Sequence, residues 1–298
     1  MIETILSHFS IKHDLYLQLK KHSANKIQLE DKDSVYLHDI FSFDTFKIKN
    51  QSYYTNLAYF SSTYGDCFQD IEQSFNSIFE LKRLDKISID ISQLHGFSNS
   101  KSDLFKYQTI DQFVEKECPS YIDSITPEQL RLMLSHKGIQ IIHYPDTSPD
   151  NFYMYGWQPK LFLSNENGSH HLAASQYIAK RLNQPVTLSA PLLITVLNGT
   201  QLANFHDRYA AFITPSDELG GYFKLFDNAN LKFVRLDDSL NHYEVYFFKR
   251  TEENKRIISI FSSLFSSLNQ ILWKRLDAQS KNDLLRVFAP HSTGCWSF

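Results

Sequence analysis

The 298-residue chain reads as a mixed α/β protein, and three features of its sequence carry that expectation. Phe68, Ile71, Phe75, Ile78 and Phe79 recur at spacings of three and four, the apolar face of a helix over about 67–82. Directly afterwards Ile87, Ile89 and Ile91 alternate with Ser88, Asp90 and Ser92, the period of a half-buried strand. Apolar residues make up 42% and aromatics 14%, enough for a substantial core and too many for a disordered chain.

The most polar stretch of the early chain, 92–103, is a candidate boundary between an N-terminal mixed region (1–100) and a second region (101–298) that ends in helices. A single large domain is the alternative. Thr126 is suited to cap a helix whose first position is Pro127, and Gly138 suits its end. Ile139-Gln140-Ile141-Ile142 then reads as the start of a buried strand, followed by a loop containing prolines and aromatics. Lys160–Leu163 reads as a short strand and Leu172–Leu182 as a helix packing through Leu172, Ala173, Tyr177, Ala179 and Leu182. Strand character returns at 186–188, 192–197, 221–226 and 243–248. A long helix over 252–275 and a short one near 280–288 complete the layout.

Lys plus Arg is 30 against 33 for Asp plus Glu, so charge does not indicate nucleic acid as a partner. The three cysteines, Cys67, Cys118 and Cys295, are far apart and lack metal-ligand spacing, so reduced thiols in a cytoplasmic setting are expected. The N-terminus has no signal-peptide pattern, and no apolar run is long enough for a membrane span. Walker, Rossmann, HExxH, GxSxG and EF-hand motifs are absent from the sequence.

Chemistry concentrates at Asn167-Gly168-Ser169-His170-His171. Gly168 permits turn geometry closed to larger residues, and Ser169 is expected to be the helix N-cap. The first-turn N–H groups would then face outward beside two imidazoles, an arrangement that favours a phosphate. Partial protonation of those imidazoles would strengthen binding toward mildly acidic pH.

This run, continued by Leu172-Ala173-Ala174 and, after the helix, Asn183-Gln184-Pro185-Val186, resembles the nucleotide-binding segment of the ParB/sulfiredoxin superfamily over roughly 139–197. The resemblance implies a strand-turn-helix-strand core, with a mixed extension before it and helices after it. It implies a nucleoside triphosphate (ATP or CTP) with Mg²⁺, held by Asn167, Gly168, Ser169 and His170. Ser169 stands where sulfiredoxins carry their reactive cysteine, which argues against sulfinate reduction. His171 replaces a usual arginine and so supplies a weaker, titratable contact.

Two further clusters are candidates for the same site. Asp146, in His143-Tyr144-Pro145-Asp146, is the candidate metal ligand or base. In His206-Asp207-Arg208, Asp207 is a candidate acid or base beside His170 and His171, and Arg208 a phosphate-holding cation. The terminal His291-Ser292-Thr293-Gly294-Cys295 offers a thiol near an imidazole but no third partner. The leading expectation is a nucleotide-binding protein performing phosphoryl or nucleotidyl transfer or hydrolysis, as an effector or toxin in one version. An NAD-dependent ADP-ribosyltransferase is the alternative enzyme, and a regulatory module that binds a protein partner is the non-catalytic alternative.

Overall fold

The computed structural model describes residues 17–19, 33–39, 65–215, 233–238 and 243–288. The fold is mixed α/β. Its first sheet takes strands from both sides of residue 100: β1 (Phe79–Asp90), β2 (Leu94–Phe97), β3 (Asn151–Tyr155), β4 (Leu161–Ser164) and β5 (Thr187–Leu197), in the order β1-β5-β3-β4-β2. β1 runs antiparallel to β5, β5 parallel to β3, β3 antiparallel to β4, and β4 parallel to β2. The polar stretch considered as a boundary therefore contains a strand of this sheet.

The helices in chain order are α1 (Gly65–Asn76), α2 (Ile110–Glu117), α3 (Pro127–Leu134), α4 (Gln140–His143), α5 (Ser169–Leu182), α6 (Gly199–Arg208), α7 (Lys255–Leu264), α8 (Leu268–Ser280) and α9 (Asp283–Phe288). Period-two alternation along β5 sends Leu188, Ala190, Leu192, Ile194 and Val196 into a core shared with Phe113 and Val114 of α2, Leu130 and Met133 of α3, and Leu172 and Ala173 of α5. Gln176 of α5 adds polar anchors inside that core, donating to the carbonyls of Ile91 at 2.7 Å and Leu94 at 2.8 Å.

A second, antiparallel sheet comprises β6 (Tyr209–Pro215), β7 (Phe233–Asp238), β8 (Tyr243–Lys249) and β9 (Ser266–Ser267), ordered β7-β8-β6-β9. Alternation again divides its residues. Tyr209, Ala211, Ile213, Val245 and Phe247 pack with Phe75 and Phe205, whereas Ala210, Phe212, Tyr246 and Phe248 pack with Ile257, Ile260 and Phe261 of α7.

Several elements depart from the sequence expectation for identifiable reasons. The strand expected from Ile139 is helix α4, with the carboxylate of Asp150 accepting the Ile141 N–H at 3.1 Å; the strand lies instead at β3, inside the expected loop. A four-residue run with three isoleucines fits either state, and the cap from Asp150 favours the helix. The helix expected to reach residue 82 stops at Asn76, because Phe79 and the residues after it pair with β5. The helix expected over 252–275 is interrupted: Phe265 is extended, and Ser266 and Ser267 pair with Ile213 and Phe212 before the Ser267 side chain caps α8. The segments at 186–188 and 192–197 form one continuous β5 with Pro191 inside it. The strand expected at 221–226, the terminal run containing Cys295, and the Cys67 side chain lie outside the described residues.

Candidate functional site

β4 ends at Ser164, a turn follows, and α5 begins at Ser169. The residue capping α5 is Gly168, not Ser169: its backbone is left-handed (φ 78, ψ 8) and no side chain caps the helix. A Cβ on Gly168 would sit 2.5 Å from the Gly138 carbonyl oxygen, so the close approach of the loop at 136–138 also requires glycine. Ser169 is the first helical residue and is buried. Among the described residues, the backbone N–H groups of Ser169, His170 and His171 have no hydrogen-bond partner, as expected of an uncapped first turn.

Segments distant in sequence hold the turn. The Asn165 N–H donates to Ser98 Oγ at 3.0 Å, and its side-chain amide donates to the carbonyls of Asn99 and Asn167. The Asn99 amide donates to the Glu166 carbonyl at 3.1 Å. Asp150 reaches the Glu166 N–H at 3.4 Å while capping α4, and burial raises its carboxyl despite these bonds. The polar stretch of 92–103 thus supplies one wall of the site.

The turn opens into a cleft of about 640 Å³, lined by Asn167, Gly168, Ser169, His170 and His171 together with Lys101, Glu117, Tyr121 and His136. The rings of His136 and His171 stack with centroids 3.6 Å apart and planes 9° apart, and Tyr121 lies against His171 at 4.5 Å. His170 packs against Phe113, and its Nε2 lies 2.9 Å from Ser102 Oγ. Cys118 also lines the cleft; it is a free, buried thiol pushed up to about 11, first by burial and then by Glu117, and so is a poor nucleophile.

Electrostatically the cleft is not a cationic trap. Its fixed charges are Lys101 against Glu117 and Glu166. Burial pushes His170 down, with Glu117 partly opposing. His171 falls to about 4, through burial first and then positive charge at His136 and His170. Both imidazoles are therefore neutral near pH 7, and the protonation expected from an unperturbed histidine is moved to lower pH. Recognition of an anion here would rest on oriented N–H donors.

Residues 84–285 match the model of a family of unknown function, DUF6685. The chain belongs to this family. No curated protein and no solved structure matches it. The DUF6685 span contains the whole cleft, from Asn99 to His171.

Within that span the remaining sequence candidates are dispersed. Asp207 and Arg208, at the end of α6, line a different cleft of about 590 Å³ beside Asp70 and Gln201. Arg208 is committed there: Nη2 meets the Asp70 carboxylate at 2.5 and 2.6 Å, and Tyr209 also donates to Asp70. Asp146 lies on an exposed turn and does not line the first cleft, so a metal accompanying phosphate there would meet Glu117 or Glu166 instead. Among the described residues, no group of three or more His, Cys, Asp or Glu is placed to hold a metal. The sequence reading missed Ser102, Glu117, Tyr121 and His136, which have ordinary neighbours along the chain and reach the site only through packing.

Proposed function

We propose that this DUF6685 chain binds a phosphate-bearing ligand, specifically a nucleoside triphosphate, at the start of α5 and performs phosphoryl or nucleotidyl transfer or hydrolysis. The observation that carries the reading is the first turn of a 14-residue helix, which has left-handed Gly168 at its cap position and no capping side chain, and which opens into a cleft lined by three histidines. Backbone N–H groups and the helix dipole favour a phosphate there, and the neutral His171 imidazole offers an additional donor. The ParB/sulfiredoxin resemblance of the same run supports the choice of nucleotide. Glu166 would be the residue to hold Mg²⁺, whose charge would offset that of the phosphates, because its side chain is exposed and Glu117 already accepts from Tyr107. A cytoplasmic setting belongs to the same reading. No helix among the described residues is long and apolar enough to cross a membrane.

A thermal-shift screen with ATP, CTP, GTP and NAD, with and without Mg²⁺, tests the proposal. A nucleotide at about 100 times its dissociation constant stabilises the fold by about 2.7 kcal/mol. Replacing His170 and His171 together with Ala is expected to reduce that shift and any turnover at least about tenfold, with the far-UV spectrum retained. Full affinity in the double variant, or no shift with any ligand, would leave Gly168 as an ordinary helix cap. A shift with NAD alone, accompanied by its consumption, would favour ADP-ribosyl transfer.

A further inference from the structure

The histidine at the second position of α5 is connected to a carboxylate through a hydroxyl. Nε2 of His170 lies 2.9 Å from Ser102 Oγ, and Ser102 is the largest of the influences that hold the Glu117 carboxyl below its ordinary value. Glu117 also accepts from the Tyr107 hydroxyl. An ionised carboxylate only accepts, and a serine hydroxyl has one proton. If Ser102 gives that proton to Glu117, its oxygen must accept from His170, so Nε2 carries the imidazole hydrogen and Nδ1 keeps its lone pair. Among the described residues Nδ1 has no hydrogen-bond partner, it is not one of the buried unpartnered atoms, and His170 lines the cleft.

We infer that Glu117 and Ser102 are positioning residues that hold His170 as its Nε2–H tautomer, with Nδ1 as the proton acceptor for a hydroxyl or water attacking phosphate in the cleft. This rests on the function proposed above. In the step, the O–H proton of the acceptor passes to Nδ1 while its oxygen lone pair forms the new bond to phosphorus. The bond from phosphorus to the bridging oxygen of the triphosphate breaks, and its pair leaves with the departing phosphate. The resulting imidazolium is stabilised through Ser102 by the negative charge on Glu117, as an imidazolium is by an orienting carboxylate elsewhere. Ser102 itself is not the nucleophile, because it does not line the cleft.

The tautomer is read directly from long-range ¹H–¹⁵N spectra of the full chain, with His170 assigned by comparison with His170→Gln. Wild type is expected to show Nε2–H. Glu117→Gln places an amide that can donate to Ser102, which frees the serine to donate to Nε2; the Nδ1–H form is expected to appear, and the imidazole pKa to fall with loss of the carboxylate. Ser102→Ala should weaken the tautomer bias and Ser102→Thr, which keeps the hydroxyl, should restore it. With ATP and Mg²⁺, Glu117→Gln is expected to lower kcat about tenfold or more with KM unchanged. A wild-type Nδ1–H tautomer, or a Glu117→Gln spectrum and pKa identical to wild type, overturns the positioning role. The expected tautomers together with no nucleotide-induced shift would instead overturn the nucleotide reading and leave the relay in place.

Discussion

At the scale of the residue, the histidines differ more than their adjacency suggests. His170 lies against a hydroxyl and feels the Glu117 carboxylate, whereas His171 is stacked on His136 with Tyr121 tilted against it, and the charges acting on it are other imidazoles. Its ordinary value of 6.5 is lowered to about 4 by burial and then by those neighbours. The unfolded chain therefore binds a proton below pH 6.5 that the folded chain refuses until about pH 4. With more protons bound in the unfolded state, stability falls as pH drops through that window, and the loss is complete below it. Melting temperatures measured from neutral pH to about 4 should decline in wild type and less steeply in His171→Phe, which keeps a ring in the stack without the titration. Parallel slopes for the two proteins would contradict this assignment.

At the scale of the element, the turn between β4 and α5 depends on one backbone conformation. Gly168 combines φ 78 with a 2.5 Å approach that a Cβ would make to the Gly138 oxygen, and the clash is with backbone, so no side-chain rotation relieves it. Gly168→Ala is expected to destabilise the protein by about 1–3 kcal/mol in denaturant titration. It should also separate His136 from His171, because the loop at 136–138 must withdraw. Unchanged stability would show that the loop yields freely. The same turn explains an error of one residue in the expected cap. Serine is a good N-cap by propensity, but here the left-handed glycine takes that position, so among the described residues the first-turn N–H groups have no hydrogen-bond partner.

At the scale of the whole molecule, side-chain amides on α8 join the two sheets. Gln279 accepts from the Leu197 N–H at 2.7 Å and donates to the Leu197 carbonyl at 2.9 Å, at the end of β5. Ten residues earlier Asn269 accepts from the Ala211 N–H at 2.8 Å and donates to the Tyr209 carbonyl in β6. The Leu197 N–H and carbonyl and the Ala211 N–H would lose these partners if the side chains were lost, whereas the Tyr209 carbonyl also accepts from Arg250 Nε. Gln279→Leu is therefore expected to destabilise the fold by about 2–4 kcal/mol, with both sheets still melting in one transition. Two resolved transitions in the wild-type protein would contradict such coupling.

The sequence alone determined the mixed α/β class, the strand segments near 87–90, 161–163, 187–197 and 243–248, and the helix after the Asn167–His171 turn, because these depend on local periodicity and on the conformational freedom of glycine. Its apolar periodicity left Ile139–Ile142 ambiguous and could not expose the interruption at Phe265–Ser267, since Asp150, beyond the next turn, and the distant edge of β6 decide those elements. The site divides in the same way. Gly168, Ser169, His170 and His171 were legible as consecutive residues, and they do line one cleft. Tertiary packing alone brought His136 onto His171 and linked Ser102 and Glu117 to His170, while it removed Asp146, Asp207 and Arg208 to other surfaces. The physical reason is range: helix starts and strand alternation arise among neighbours in sequence, whereas a cleft is assembled by side chains that only a completed core brings together.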